Sequence, residues 1–148
     1  MRWRFILNIL GVLLFFFGLT MIFPLLVGLY YGEQSLIPLS ESMAITVFAG
    51  LILYLIFRKA RAEVINQREG MAIVAVGRIV VGLFGALPFY LGEGYFTFTD
   101  AVFESVSGFT TTGASILANI EALSKGLLFW RSFIQWLGGM GIIWQGKP

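Results

Sequence analysis

Residues 107–115 read SGFTTTGAS, a polar stretch in a chain that is otherwise mostly apolar. Three successive threonines are poor helix formers, because their β-branched side chains lose rotamer freedom against the preceding turn. Gly113 can adopt backbone conformations that other residues avoid. The stretch is therefore predicted to be neither a membrane-spanning helix nor a simple core segment, and it separates the apolar segments on its two sides.

The composition indicates a membrane protein. The chain has 148 residues, of which 58% are hydrophobic and 12% charged, whereas soluble domains carry about a quarter charged residues. It contains no cysteine and no histidine, which excludes disulfides, thiol chemistry and histidine-based catalysis. The acids Glu93, Asp100, Glu104 and Glu121 form no credible catalytic constellation and no phosphate-binding motif occurs, so an enzyme is not expected. No basic patch interleaved with aromatic residues indicates nucleic-acid binding.

Four apolar segments are long enough to cross a bilayer, for which about 20 residues suffice. They are 5–29, 39–57, 71–91 and 127–144. The first is predicted to be a retained anchor rather than a cleaved signal peptide, with a kink at Pro24. Pro38, Ser40 and Glu41 are typical of a helix start and place the second helix near Leu39. The charged residues 58–69 are predicted to form a solvated cytoplasmic loop.

The positive charges predict the topology, because cytoplasmic loops carry an excess of Lys and Arg. An N-terminus, a loop 58–69 and a C-terminus on the cytoplasmic side of the inner (plasma) membrane account for seven of them: Arg2, Arg4, Arg58, Lys59, Arg61, Arg68 and Lys147. This arrangement requires an even number of crossings, which the four segments supply. Residues 92–126 must then leave and return on the outer side.

Within this outer stretch the sequence predicts a half-helix followed by an extended return. Thr97 and Asp100 fit a capping box that starts a helix over 98–108, and Gly108 is a typical helix stop. Such a helix is about 15 Å long, half of a hydrocarbon core of about 30 Å. An extended stretch at 110–115 would return by a similar distance. Its unpaired carbonyls, together with the negative end of the half-helix, favour a dehydrated cation.

Two longer stretches carry a family resemblance: FGALPFYLGEGYFTFTDAVFESVSGFTTTGASIL (84–117) and FWRSFIQWLGGMGII (129–143). They resemble the first pore repeat of the Trk/Ktr/HKT family of potassium uptake proteins, and the two preceding spans resemble those of the bacterial Trk membrane subunit. The resemblance implies potassium as the transported ion and a filter at residues 110–115. It implies that the carbonyls of Thr111, Thr112 and Gly113 bind the ion, with Thr110 a further ion-binding candidate. It also implies a cytosolic nucleotide-binding regulatory subunit as partner.

The expected fold is therefore an all-α integral membrane protein. Residues 1–69 would form two N-terminal transmembrane helices and a cytoplasmic loop, and 70–148 one repeat of membrane helix, pore half-helix, filter and membrane helix. The family carries four such repeats in one chain, so the tail GGMGIIWQGKP suggests a truncation, a frameshift or a gene fragment. One repeat would conduct only with other copies or with further repeats.

Two other functions remain open. The chain could be a non-conducting fragment or a small membrane module for assembly or regulation. It could also be a secondary carrier whose broken helix binds the substrate. That hypothesis is weakened because these 148 residues contain no internal repeat.

Charges and small residues inside the apolar segments give further hypotheses. Glu104 and Arg131 are expected at similar depths, where they would pair and support the filter, unless Arg131 extends to the outer surface. Arg78 either extends inward or meets a partner in other repeats. Five small residues favour helix packing over gating: Gly82, Ala86, Gly138, Gly139 and Gly141. Six aromatic residues are predicted to lie in interfacial belts: Trp3, Tyr30, Tyr31, Tyr95, Trp130 and Trp144.

Overall fold

A computed structural model describes residues 2–32, 36–59, 64–92, 94 and 96–145, with side chains through residue 140. Seven α-helices are found in these ranges: α1 Trp3–Thr20, α2 Ile22–Tyr31, α3 Leu36–Phe57, α4 Gln67–Gly85, α5 Leu87–Leu91, α6 Phe98–Phe109 and α7 Lys125–Gln145. A single 3₁₀ turn, Ile120–Ala122, precedes α7. The all-α membrane fold is confirmed, whereas the predicted division at residue 69 stays a prediction.

The first apolar segment is interrupted at Met21, three residues before the predicted kink at Pro24. Pro24 is the third residue of α2. It has no N–H to donate to the carbonyl four residues earlier, at Thr20, and its ring crowds that carbonyl. The helix therefore changes register three residues before the proline, and the Met21 N–H bonds instead to Gly18 O at 3.2 Å.

The next two helices begin earlier than predicted. Helix α3 starts at Leu36 rather than near Leu39. Helix α4 starts at Gln67, inside the predicted loop, because Asn66 and Glu69 form a capping box at its first turn. Helix α4 then breaks at Ala86, before Pro88 in the first turn of α5.

Within the described part of the chain, three helical segments are long and apolar enough to cross a membrane. They are Trp3–Tyr31, Leu36–Phe57 and Gln67–Leu91, with mean hydropathies of 2.6, 1.9 and 2.1. Helix α7 is not among them, and its sequence includes Lys125, Arg131 and Gln135. The fourth predicted crossing therefore stays a prediction.

Helices α1 and α3 form a close antiparallel pair. A Cβ atom added at Gly50 would lie 2.5 Å from Phe15 N and 2.8 Å from Gly11 O, so the two backbones touch at glycine. The outward side of α3 exposes large apolar residues such as Phe48, Ile52 and Ile56. Such a surface suits a lipid environment, in which apolar side chains need no burial.

The core lies where the two helix breaks meet α7. Its buried members include Met21 at the first break and Ala86 at the second, with Phe89, Trp130 and Ile134. The short helix α6 packs against α4 on one side and α7 on the other. This packing fixes the position of the SGFTTTGAS stretch, which begins in the last turn of α6.

Candidate functional site

The half-helix begins as the sequence predicts. Helix α6 runs from Phe98 to Phe109, and Thr97 is its N-cap. Asp100 N donates to Thr97 Oγ1 at 3.3 Å, and Thr97 N donates to Asp100 Oδ2 at 3.2 Å. Its 12 residues give a length of about 18 Å, roughly half of a bilayer core.

The end of α6 differs from the prediction in its position and in its chemistry. Thr111 N donates to Gly108 O and Thr112 N to Ser107 O, both at 3.0 Å. These two bonds define a Schellman motif, in which glycine usually occupies the left-handed position. Here that position is Thr111, with φ of 57°, the one described non-glycine residue with positive φ. A β-branched residue is strained in this region.

The predicted stop residue, Gly108, serves close packing instead. A Cβ atom there would lie 2.5 Å from Ile134 Cδ1 of α7. Helix α6 continues through Phe109, so the prediction that Gly108 ends it is wrong. Glycine at this position lets the half-helix approach α7 closely.

The three threonines do not form the extended stretch that was predicted. Thr110 is right-handed, with φ of −83° and ψ of 0°, while Thr111 and Gly113 have positive φ. Within the stretch 107–115, only residues 112–115 lack turn or helix geometry. Because the last turn of α6 continues into its Schellman motif, the first two threonines remain part of the helix end.

Backbone carbonyls of this stretch fall into two groups. Thr110 O accepts from Thr111 Oγ1 and Ala114 O from Ser107 Oγ, each at 2.7 Å. The three carbonyls between them, at residues 111–113, accept no hydrogen bond from any described part of the chain. Residues 111–113 are exposed. Three consecutive carbonyl oxygens are thus available to a ligand, between two that are already satisfied.

Hydroxyl groups of this stretch form hydrogen bonds with nearby residues. Thr110 Oγ1 lies 2.8 Å from both Val106 O and Thr112 Oγ1. Ser107, which is not among the predicted site residues, donates to the Ala114 carbonyl. Its signal was present in the sequence, because a serine one turn before the threonines lies on the half-helix next to the returning backbone.

Glu104 ties the returning backbone to α6 and α7. Its side chain is 1% exposed. Oε1 accepts from Ser115 Oγ and, at 2.8 Å, from Ile116 N. Oε2 accepts from Arg131 Nε at 3.2 Å. The structure thus brings Glu104 and Arg131 together, and Arg131 is only 14% exposed rather than extended to the surface.

Two further bonds hold α6 and α7 against α4. Ser105 Oγ donates to Gly82 O at 2.7 Å, and Trp130 Nε1 donates to Gly85 O at 3.0 Å. Trp130 is fully buried, so its prediction as a belt residue is wrong: its N–H has a backbone partner in the core. Gly82 and Ala86 lie in the packed interior as predicted.

The remaining predicted residues have simpler positions. A Cβ atom at Gly138 would fall on the Phe109 backbone, which supports packing, while Gly139 has more room. Arg78 is exposed and lines a cleft of about 520 Å³ beside Phe109 and Gly138. Trp3, Tyr30 and Tyr31 are exposed. Several predictions concern residues or side chains outside the described part: Arg61, Glu93, Tyr95, Gly141, Trp144, Lys147 and the C-terminal tail.

Comparison with known proteins shows the family of the chain. The profile of the TrkH family, described as cation transport protein, matches residues 39–144. The chain is 45% identical over 144 residues to the Trk system potassium uptake protein TrkH of Halomonas elongata, covering 97% of this chain and 30% of that protein. It is 42% identical to the protein of that name from Escherichia coli K12, with the same two coverages.

A solved structure is also similar to this chain. The crystal structure of the potassium transporter TrkH from Vibrio parahaemolyticus matches with a TM-score of 0.90 and 39% identity. The match covers 97% of this chain and 31% of that one. The chain thus spans about 30% of the length of these relatives, which are transporters and not enzymes. The profile match and the relatives together show that the chain belongs to the TrkH family of cation transport proteins.

Proposed function

We propose that this chain supplies one repeat of a potassium-conducting pore, in which the carbonyls of Thr111, Thr112 and Gly113 bind the ion. The observation that carries this proposal is that the carbonyls of three consecutive exposed residues, 111–113, accept no hydrogen bond from the described part of the chain. At membrane depth a carbonyl needs a partner, and a dehydrated cation is one. Potassium is proposed because two of the relatives reported above are named as potassium uptake proteins.

The backbone conformation supports carbonyl coordination. The sign of φ alternates from Thr110 to Gly113, since positive values occur at Thr111 and Gly113 only. Alternating handedness turns successive carbonyls toward one side of the chain, whereas those of a regular strand point alternately to opposite sides. A ring of such segments replaces the hydration shell of a potassium ion. Thr110 contributes mainly through its hydroxyl contact with Thr112.

The strained Thr111 favours a functional explanation as well. A left-handed conformation costs an L-residue about 1–2 kcal/mol, and glycine would avoid that cost. Threonine at this position retains a branched side chain whose hydroxyl bonds to the Thr110 carbonyl. Backbone strain that the surrounding structure maintains is typical of functional sites.

Glu104 and Arg131 are proposed to support the filter from behind. The carboxylate holds Ser115 and Ile116, which follow the three free carbonyls, and Arg131 anchors that carboxylate to α7. Because Glu104 accepts from three donors and is buried, the returning backbone has little freedom to relax toward α6.

The chain is further proposed to lie in the inner membrane with its N-terminus cytoplasmic, following the distribution of positive charges. The exposed filter residues require facing repeats, either from other copies of this chain or from further sequence of the kind that makes up the rest of its relatives. A cytosolic nucleotide-binding regulatory subunit is the expected partner on the inner side.

Potassium-dependent growth tests the proposal. The 144 matched residues of the Escherichia coli relative are replaced by this chain, and the chimera is expressed in bacteria without potassium uptake systems at low external potassium. Gly113→Ser is compared with Gly94→Ser. The two glycines have φ of 72° and 74° and no atom within 3.5 Å of an added Cβ, so the two substitutions impose similar backbone strain.

We expect the chimera and its Gly94→Ser variant to grow, and Gly113→Ser to grow poorly at equal membrane abundance. Equal growth of both serine variants would contradict the filter assignment. Expression of the chain alone tests whether copies of this chain form a pore without other repeats. Growth would indicate assembly from copies of one repeat. No growth, beside a working chimera, would show that further repeats are needed.

A further inference from the structure

A second surface, at the opposite end of the helices from Glu41, is strongly basic. Four exposed side chains form it: Arg4, Arg58, Lys59 and Arg68. We call this set the basic rim. None of these four side chains forms a hydrogen bond or ion pair with another residue of the described part of the chain. Their charges are therefore available to an external partner.

Tertiary structure brings the rim together. Arg4 lies in the first turn of α1, Lys59 follows the end of α3, and Arg68 lies in the first turn of α4. Helices α1 and α3 are antiparallel neighbours joined by Asn8 Nδ2 to Tyr54 O at 3.4 Å. Helix α4 is joined to the N-terminus through Arg2, so all three helix ends lie on one side.

Arg2 differs from the rim residues because it neutralises the local acid. Its Nη2 lies 2.8 Å from Glu69 Oε2, and its Nε lies 3.1 Å from Glu69 Oε1. Glu41, the other described acid in α1–α5, lies about 25 Å from Arg58 along α3. The pairing of Glu69 therefore leaves the rim with four positive charges and no described acid to balance them.

Arg2 also positions an apolar element beside the rim. Its Nη2 donates to Val64 O at 3.2 Å, which fixes the backbone before α4. The side chains of Val64 and Ile65 are exposed by 92% and 52%, and Trp3 by 58%. Exposed apolar side chains interspersed with basic ones are typical of segments that enter the headgroup region of a membrane.

We propose that the basic rim binds the phosphate groups of anionic phospholipids, with Trp3, Val64 and Ile65 inserted among the headgroups. A lipid occupant fits better than an acidic protein, because the rim surrounds the ends of three membrane-crossing segments, where headgroups necessarily lie. Each basic residue near an anionic surface strengthens binding by about fivefold, and salt weakens that contribution.

A lipid titration tests this proposal. The full chain in neutral detergent is titrated with dansyl-labelled phosphatidylglycerol and with the phosphatidylcholine analogue, for the wild type and two double variants, Arg58→Gln/Lys59→Gln and Arg4→Gln/Arg68→Gln. Lys125→Gln, which removes an exposed charge next to the 3₁₀ turn, is the matched control. Each double variant should lose about 25-fold in preference for phosphatidylglycerol, whereas the control should change less than twofold.

A second measurement does not depend on the rim charges. The chain has no cysteine, so Val64→Cys carries a single environment-sensitive fluorophore. In bilayers containing phosphatidylglycerol the label should move to shorter emission wavelength and be quenched by lipid-borne quenchers. Equal affinity for both lipids, unchanged preference in both double variants, or a label that stays in water would overturn the proposal and leave the rim to an acidic protein partner.

Discussion

Replacing Glu104 by glutamine should destabilise the chain by about 3 kcal/mol. Glutamine keeps a carbonyl oxygen for Ser115 and Ile116, but it turns an NH₂ group toward Arg131 Nε, where two donors then meet. Breaking a buried ion pair by removing one partner costs about 3–5 kcal/mol. The lower value is expected, because Arg131 is 14% exposed and water screens part of its charge.

The free energy of unfolding is measured in mixed micelles for Glu104→Gln, Arg131→Met and the double variant. Since the double variant contains no uncompensated charge, its loss should fall about 2 kcal/mol short of the sum of the two single losses, within the range usual for contacting residues. Glu121→Gln, at an exposed acid of the 3₁₀ turn, is the control and should change stability by less than about 0.5 kcal/mol.

A loss below about 1 kcal/mol for Glu104→Gln, or additive single effects, would refute the reasoning that this pair braces the filter. A charge swap between the two positions is not an equivalent test. Ser115 Oγ and Ile116 N both donate to position 104, so an arginine there would face two donors and the swap should fail even though the ion pair exists.

Three further substitutions test the packing and strain around the site, each by the same unfolding measurement. Thr111→Gly should raise stability by about 1 kcal/mol by removing left-handed strain while weakening growth of the chimera; a loss of stability would show that the threonine is unstrained. Gly108→Ala should cost about 1–3 kcal/mol, because the new methyl group meets Ile134, and Ile134→Val should recover part of it; no recovery would place the clash elsewhere. Gly50→Ala should lower the free energy of unfolding, whereas Gly70→Ala should raise it by up to about 1 kcal/mol, because the nearest atom to a Cβ added at Gly70 lies 4.0 Å away. Equal effects of the two substitutions would contradict backbone contact between α1 and α3.

Local signals in the sequence were sufficient for the elements that depend on local physics. The apolar lengths predict the spans, and the capping pair Thr97 and Asp100 predicts the start of α6 to the residue. Pro24 predicts a kink in the first segment, and the helix is interrupted at Met21 because the missing N–H and the ring act one turn earlier. The starts of α3 at Leu36 and of α4 at Gln67 lie about three to four residues before the predicted ones, since caps and turns compete over a few positions.

Features that depend on contacts between helices could be determined only from the tertiary structure. The periodicity of the sequence cannot show that Gly108 faces Ile134, so a packing glycine was read as a helix stop. Nor can it show that Trp130 reaches Gly85 O in the core rather than the membrane interface. The sequence by itself determined that polar, helix-averse backbone lies between two apolar segments. Only the tertiary structure decided how that backbone is held beside α6, because the Glu104 carboxylate that binds Ser115 and Ile116 also bonds to Arg131 of α7. Packing of the two helices, and no local pattern in the sequence, brings these distant residues together.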